Sequence, residues 1–243
     1  MDDTRTALVV GGSRGIGRAI ALRLARDGFD IWLTYRSDAK AAEETAAGVR
    51  GLERKCELFC FDVADHKATQ DALSARAQET PPYAVVFNAG IARDNLLFWM
   101  PKADWDAVIQ TDLGGFYNLM QAVLAPMLAA RKGRIVAISS LSGEIGHAGQ
   151  VNYSAAKAGL IGAAKALARE VGARNVLVNV VSPGVIDTDM TADSPVRQLL
   201  PSIPLRRFGR PEEVASLVGY LCSEPDMYMH GQVLSVNGGL SMS

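Results

Sequence analysis

Cysteine is scarce in this sequence: three in 243 residues, an odd count that excludes a disulfide framework. Cys56 and Cys60 stand in a strand-like run, KCELFCFD, where both would face the same way. Their spacing is not that of a zinc knuckle or redox pair, and the chain's three histidines form no cluster beside them. Buried core thiols in a cytoplasmic protein without a metal site are therefore expected. An excess of charge is missing too. Twenty-five Lys and Arg against 26 Asp and Glu leave a net −1, with no basic field for nucleic acid and no acidic solvating tail. Apolar runs are broken by Gly, Pro or charge well short of the about 18 residues of a membrane span. The opening MDDTRTALVV enters a strand-like run at once and lacks a signal peptide's layout. With no repeat, low-complexity stretch or linker, residues 1–243 read as one domain with a sizeable core, about half the residues being apolar.

What is present is an alternation of short apolar runs with helix-length segments. TALVV, DIWLTY, CELFCFDV, AVVFNAG, RIVAISS, VLVNVVSPG and QVLSVNGG read as seven strands. Between them lie amphipathic stretches, among them RAIALRLARDG ending at Gly28, a long segment from Lys102 to Arg131, and a helix starting near Pro211. The fold class predicted is α/β: a Rossmann-type, doubly wound, seven-stranded parallel sheet with helices on both faces. Crossovers should be right-handed.

The chain is organised around Ser140 to Lys157. If Tyr153 and Lys157 share a helix, their four-residue step places both on one face. An ammonium there favours the phenolate, so the phenol should fall below its usual pKa of about 10 and serve as a general acid. A hydroxyl at Ser140 would complete the group by binding a substrate oxygen.

A second signal follows the first strand. In GGSRGIG, Gly11, Gly15 and Gly17 permit a tight turn and a close approach of backbone to a pyrophosphate at a helix N-terminus. The spacing is G-x-x-x-G-x-G, not the commoner G-x-G-x-x-G. At the tip of the second strand an NAD site usually carries an acid, but here the chain reads Tyr35-Arg36-Ser37. Arg36, with Arg14 from the first turn, suits the 2′-phosphate of NADP.

These motifs, with Asp62-Val63, Asn88-Ala89-Gly90, Ser182-Pro183-Gly184 through Thr188 and the C-terminal GQVLSVNGG, resemble the short-chain dehydrogenase/reductase family over essentially the whole length. The similarity is greatest to its bacterial β-ketoacyl-acyl-carrier-protein reductases. The resemblance implies NADPH-dependent reduction of a 3-oxoacyl thioester in fatty-acid or polyketide/polyene-type synthesis. Ser140, Tyr153 and Lys157 are then catalytic, Ser140 being preferred over Ser139 and Ser142 by its family distance from Tyr153. Gly11, Ser13, Arg14, Gly15, Ile16, Gly17 and Arg36 hold the phosphate side of NADPH. Asp62 and Val63 close on the adenine, and Asn88, Ala89 and Gly90 lie along the cofactor. Pro183, Gly184, Ile186 and Thr188 hold the nicotinamide, and Tyr153 and Lys157 also touch the cofactor. Outside this context Asp62 would read as a helix N-cap.

Where the family carries a fourth catalytic residue, an asparagine, this chain has Asp112 in TDLGGF. A carboxylate there should weaken the pull of Lys157 on the phenolate and slow or shift the proton relay. By resemblance Arg131 and Arg174 dock an acidic acyl carrier protein, in a basic patch expected near the active-site mouth. The long segment of about 185–210 reads as a lid shaped by Asp187, Met190, Pro195, Pro201 and Pro204, or as a surface packed on a partner subunit. Apolar residues beyond one stripe, from Trp105 to Met127 and from Ala155 to Leu167, point to helix contacts with another subunit. The resemblance implies a homotetramer. A structural role is expected for His230; for His147 an exposed loop position is expected ahead of a place lining the substrate entrance. Two alternatives stay open: a reductase for another ketone or alcohol, and a cofactor-binding subunit with weak catalysis.

Overall fold

The computed structural model describes residues 5–189, 191 and 195–242. Seven parallel strands form one sheet in the order β3-β2-β1-β4-β5-β6-β7. They are β1 Thr6–Val10, β2 Asp30–Tyr35, β3 Cys56–Cys60, β4 Ala84–Phe87, β5 Gly133–Ile138, β6 Val176–Pro183 and β7 Val233–Val236. The helices are α1 Gly15–Arg26, α2 Ala39–Arg50, α3 His66–Glu79, α4 Lys102–Ile109, α5 Gly115–Ala130, α6 Leu141–Ile145, α7 Val151–Val171 and α8 Pro211–Ser223.

The central strands are nearly continuous in apolar residues because both faces are covered, with Arg134, Asn179 and Ser182 as buried polar exceptions. Leu8, Val10, Val85 and Phe87 point into one core with Phe116, Leu119, Val123 and Leu160 from α5 and α7. Alternate residues Ala7, Val9, Ala84 and Val86 enter a second core with Ile20 and Leu24 of α1 and Val214 and Val218 of α8. The sheet's first edge corrects an expectation. β3 has a strand on one side only, and there Cys56 is half-buried and Cys60 exposed. The fully buried thiol is Cys222, in α8, and burial pushes its pKa up to about 12.

Lys102–Ala130 is one nearly continuous helical run, long and apolar enough by composition to cross a membrane. Here it is a core element, half of its apolar window being buried within the chain. A π-helical turn, Gln110–Gly114, separates α4 from α5. Because α5 packs on α3 as well as on the sheet, Phe116, Leu119, Met120, Val123 and Met127 are all buried internally. Those five need no second subunit to cover them, while Trp105, Ile109, Leu113 and Leu124 of the same run are half-buried. On α7, Ala155 and Ala158 stay exposed while Leu160, Ala164 and Leu167 are buried.

His230 ties the far end of α7 to the sheet. Its Nδ1 accepts the Val178 N–H at 3.1 Å, so Nε2 carries the proton and donates to the Ala168 carbonyl at 2.7 Å. Pairing between β6 and β7 begins only at Val180, so without His230 the Val178 N–H would be unpaired on that side. His230→Leu should lower unfolding stability by roughly 1–3 kcal/mol, read from the urea midpoint. A change below about 0.5 kcal/mol would mean that water replaces both bonds.

Candidate active site

The candidate residues gather at the carboxyl ends of β1, β4, β5 and β6, around the point where the strand order reverses. Ser140 follows β5 as the N-cap of α6, its Oγ accepting the Ser142 N–H at 3.2 Å. Its hydroxyl also faces the phenol of Tyr153, where it favours the phenolate. The neighbouring serines are committed elsewhere. Ser139 donates to the Lys157 carbonyl at 3.0 Å, and Ser142 donates to Gln150 Oε1 at 2.8 Å. One turn after Tyr153, Lys157 places its Nζ 5.5 Å from the phenol ring centroid.

Lys157 also faces a carboxylate. Its Nζ lies 3.2 Å from Asp112 Oδ2, with the two side chains 3% and 0% exposed. It donates to the Ile138 carbonyl at 3.2 Å, while Asp112 Oδ1 accepts the Ile91 N–H at 2.8 Å. Asp112 reaches this point from the π-helical turn, which turns the side chain inward where a regular helix would carry it past. Gly90 closes the site from above: a Cβ there would come within 2.6 Å of Asp112 Oδ2 and 3.0 Å of Lys157 Nζ. Only glycine leaves the ion pair intact at that position.

The expectation of a phenol held below its ordinary value is overturned. Burial raises the Tyr153 pKa; Lys157 lowers it by less, and Asp112 and Asp94 push it further up. Burial also raises the Asp112 carboxyl, against the pull of Lys157 and the Ile91 N–H. Lys157 is held above its usual value, burial being outweighed by Asp112 and Tyr153.

Ser140 and Tyr153 open on a cavity of about 130 Å³ that Thr191 and Leu199 of the 185–210 segment also line. Met190 lies outside the described residues. Asp94 accepts from Gln150 Nε2 at 2.9 Å, and Gln150 in turn receives Ser142, which meets His147 Nδ1 at 3.4 Å. His147 is thus a half-buried cavity residue and not an exposed loop residue. The sequence offered no sign of Gln150 or Asp94. They meet only because the loop after β4 bridges to the loop before α7, at Asn95 and Gln150.

The glycine-rich turn fits a dinucleotide's phosphates. Gly11 and Gly15 take φ of +73° and +54°, values that favour glycine. A Cβ on Gly17 would lie 2.1 Å from the Gly11 carbonyl, which Asn88 Nδ2 holds at 2.9 Å. Ser13 is fixed through its carbonyl by Thr45 Oγ1 at 2.9 Å, and Ile16 packs on the core. The first turn of α1 has neither an acid nor a side-chain cap, and its own ladder begins with the Arg18 N–H on the Arg14 carbonyl, which leaves the N–H groups before it for an anion. Thr188 lies over Gly15, 3.5 Å from where a Cβ would stand. Gly184 is pressed on Asn237, and Ile186 bridges to Gly209.

At the other end of this cleft, Arg36 Nη1 lies 3.8 Å from Asp62 Oδ2, both side chains about half exposed. Asp62 is not a helix N-cap. It closes a turn onto the Ala64 N–H at 3.0 Å, and Asp65 caps α3. Val63 is 6% exposed and packs in the core, so its backbone is what it presents to the cleft.

Arg131 and Arg174 do come together, Arg131 Nη2 donating to the Ala173 carbonyl at 3.3 Å. They stand where β5 and β6 begin, at the opposite end of the sheet from Tyr153, about 30 Å away along α7. These two arginines therefore do not stand beside the active-site mouth of their own chain.

Comparison with known proteins agrees with this geometry. A family model described as enoyl-(acyl carrier protein) reductase matches residues 10–241. The chain is 49% identical over 240 residues to 3-oxoacyl-(acyl carrier protein) reductase FabG of Aggregatibacter actinomycetemcomitans, covering 98% of this chain and 99% of that protein. It is 46% identical over 243 residues to the protein of that name from Pseudomonas aeruginosa, covering 98% of each. Against the Staphylococcus aureus protein it is 40% identical over 250 residues, covering both completely. With its glycine-rich turn at a parallel-sheet switch point and its serine, tyrosine and lysine on one cavity, the chain belongs to the short-chain dehydrogenase/reductase family.

Proposed function

We propose that this chain reduces a 3-oxoacyl thioester, carried on acyl carrier protein, to the 3-hydroxyacyl thioester with NADPH, in fatty-acid or polyketide/polyene-type synthesis. The observation that carries this reading is the meeting of Ser140 and Tyr153 on one cavity beside buried Lys157, in a chain whose full-length relatives bear that activity's name. Ser140 and Tyr153 hydrogen-bond the keto oxygen, where negative charge collects. Tyr153 gives that oxygen its phenolic proton, and Lys157 stabilises the phenolate left behind. When bound, the nicotinamide cofactor supplies the hydride. Gly11, Gly15 and Gly17 hold its pyrophosphate, Pro183, Gly184, Ile186 and Thr188 its nicotinamide end, and Asn88-Ala89-Gly90 the length between. Arg14 and Arg36 take the 2′-phosphate; no acid stands at the tip of β2, and the loose, exposed contact of Arg36 with Asp62 leaves its guanidinium available.

The matched family's description favours a second reaction, reduction of an enoyl thioester. There the final proton goes to a carbon, whereas Ser140 and Tyr153 both address one oxygen, which suits a ketone. NADPH oxidation with acetoacetyl thioester should exceed that with crotonoyl thioester, and Tyr153→Phe should cut it by about 10²–10⁴. A preference for crotonoyl thioester would replace this proposal with the second. Ser140→Ala should lower kcat by roughly 10²–10³, while Ser139→Ala, touching only the Lys157 carbonyl, should cost less. Equal losses would remove Ser140 from its role.

Two features support a homotetramer: the exposed apolar run Leu96, Leu97, Phe98 and Trp99 beside the cavity loop, and the exposed alanines of α7. In such an assembly the Arg131–Arg174 pair serves the cavity of a second copy packed antiparallel, since about 30 Å separates it from Tyr153 of its own chain. Thr191 and Leu199 at the cavity support the 185–210 segment as its lid. Reversing the charge of Arg131 and Arg174 together should raise KM several-fold for the carrier-bound substrate and spare a small thioester. Equal effects on both substrates would count against docking.

A further inference from the structure

We propose that Asp112 is a positioning residue that holds Lys157 for a carboxylate rather than for the phenolate, and so biases the site toward giving a proton, in ketone reduction, over taking one, in alcohol oxidation. The proposal rests on the carbonyl-reductase reading above.

Lys157 and Asp112, 3.2 Å apart and buried, form a neutral pair. Ionising Tyr153 would then leave the site with one negative charge that no neighbouring cation compensates, because Lys157 is already paired. With an uncharged residue at 112, the same ionisation would neutralise Lys157 instead. The charged and titratable groups facing Tyr153 come from three directions: Lys157 from α7, Asp112 from the π-helical turn, and Asp94 from the loop after β4. His147 lines the same cavity from the loop before α7. Of these only Lys157 favours the phenolate in the fold, and Asp112 occupies it.

The carboxylate is also held in place. The Ile91 N–H fixes Oδ1 at 2.8 Å, and the Gly90 backbone lies directly over Oδ2. The Lys157 ammonium lies 3.2 Å from Oδ2 and the Ile91 N–H donates to Oδ1, so both oxygens meet positive groups where an asparagine would turn its NH₂ toward one of them.

The consequence differs between the two directions. In reduction, the proton passes from the Tyr153 hydroxyl to the new alkoxide oxygen as hydride reaches the carbon. An alkoxide is far more basic than any phenolate, so a less acidic phenol still delivers. In oxidation, resting phenolate must accept the alcohol proton while hydride leaves for the oxidised cofactor, and its population falls about tenfold for each unit by which the phenol is raised.

The test compares wild type with Asp112→Asn, assaying acetoacetyl thioester reduction and 3-hydroxybutyryl thioester oxidation against pH. Tyrosinate absorbance is titrated in both backgrounds and in each with Tyr153→Phe, so that the difference isolates this phenol. In Asp112→Asn the Tyr153 titration should fall by about one pH unit or more, and oxidation near neutral pH should rise relative to reduction by about tenfold. Coincident titrations and an unchanged ratio would overturn the proposal. Should Asp112→Asn fold poorly, Asp112→Ser removes the same charge in less volume and must shift the titration in the same direction. Wild type alone also decides: an alkaline loss of reduction with a midpoint below about pH 8, coinciding with the Tyr153 titration, would overturn it. If no 3-oxoacyl thioester is reduced at all, the functional reading fails, while the titration still judges Asp112 without any substrate.

Discussion

The buried contact between Lys157 and Asp112 is the constraint to which the centre of this molecule conforms. Removing one partner of such a pair typically costs roughly 3–5 kcal/mol, because the other charge is left stranded. Around it the backbone has little freedom. Gly90 must lack a side chain, the Ile138 carbonyl and the Ile91 N–H must face inward, and the helix carrying Asp112 must open by one residue into a π turn. Ser139 locks the carbonyl of Lys157 to the end of β5. The ends of β4 and β5 and the two helical segments carrying Asp112 and Lys157 are thereby registered against one ion pair.

The phosphate cradle obeys a different physics. Its specificity comes from missing atoms: no Cβ at Gly11, Gly15 or Gly17, no acid and no cap at the start of α1. The same absence leaves uncommitted N–H groups, which cost least when an anion meets them. Asn88 couples the two halves, holding the Gly11 carbonyl from the end of β4, so that phosphate side and reaction side share the switch point of one sheet.

Much of this was legible in the residues. Strands buried on both faces read as nearly continuous apolar runs, and β1, β4, β5 and β6 announce themselves that way. Tyr153 and Lys157 lie four apart and could share a helix face whatever surrounds them. Burial at edges was less legible. Cys56, Leu58 and Cys60 share one face of a run that reads as core, yet β3 ends the sheet and leaves Cys60 exposed. Apolar excess on α5 looked like a subunit contact because α3, the neighbour that consumes it, is brought there only by the crossover. Gln150, Asp94 and Ser142 are ordinary polar residues in three separate stretches, and no spacing relates them.

The chain by itself determined the layered fold, the anion-binding turn and the proton donor, since each depends on local periodicity or on residue types a few positions apart. Tertiary structure decided how that donor is tuned. Lys157 alone would make Tyr153 more acidic. Burial in a low-dielectric enclosure, and a carboxylate delivered from forty-five residues upstream, reverse the sign. Electrostatic energy depends on distance and on the surrounding medium, and neither is written in the order of the residues.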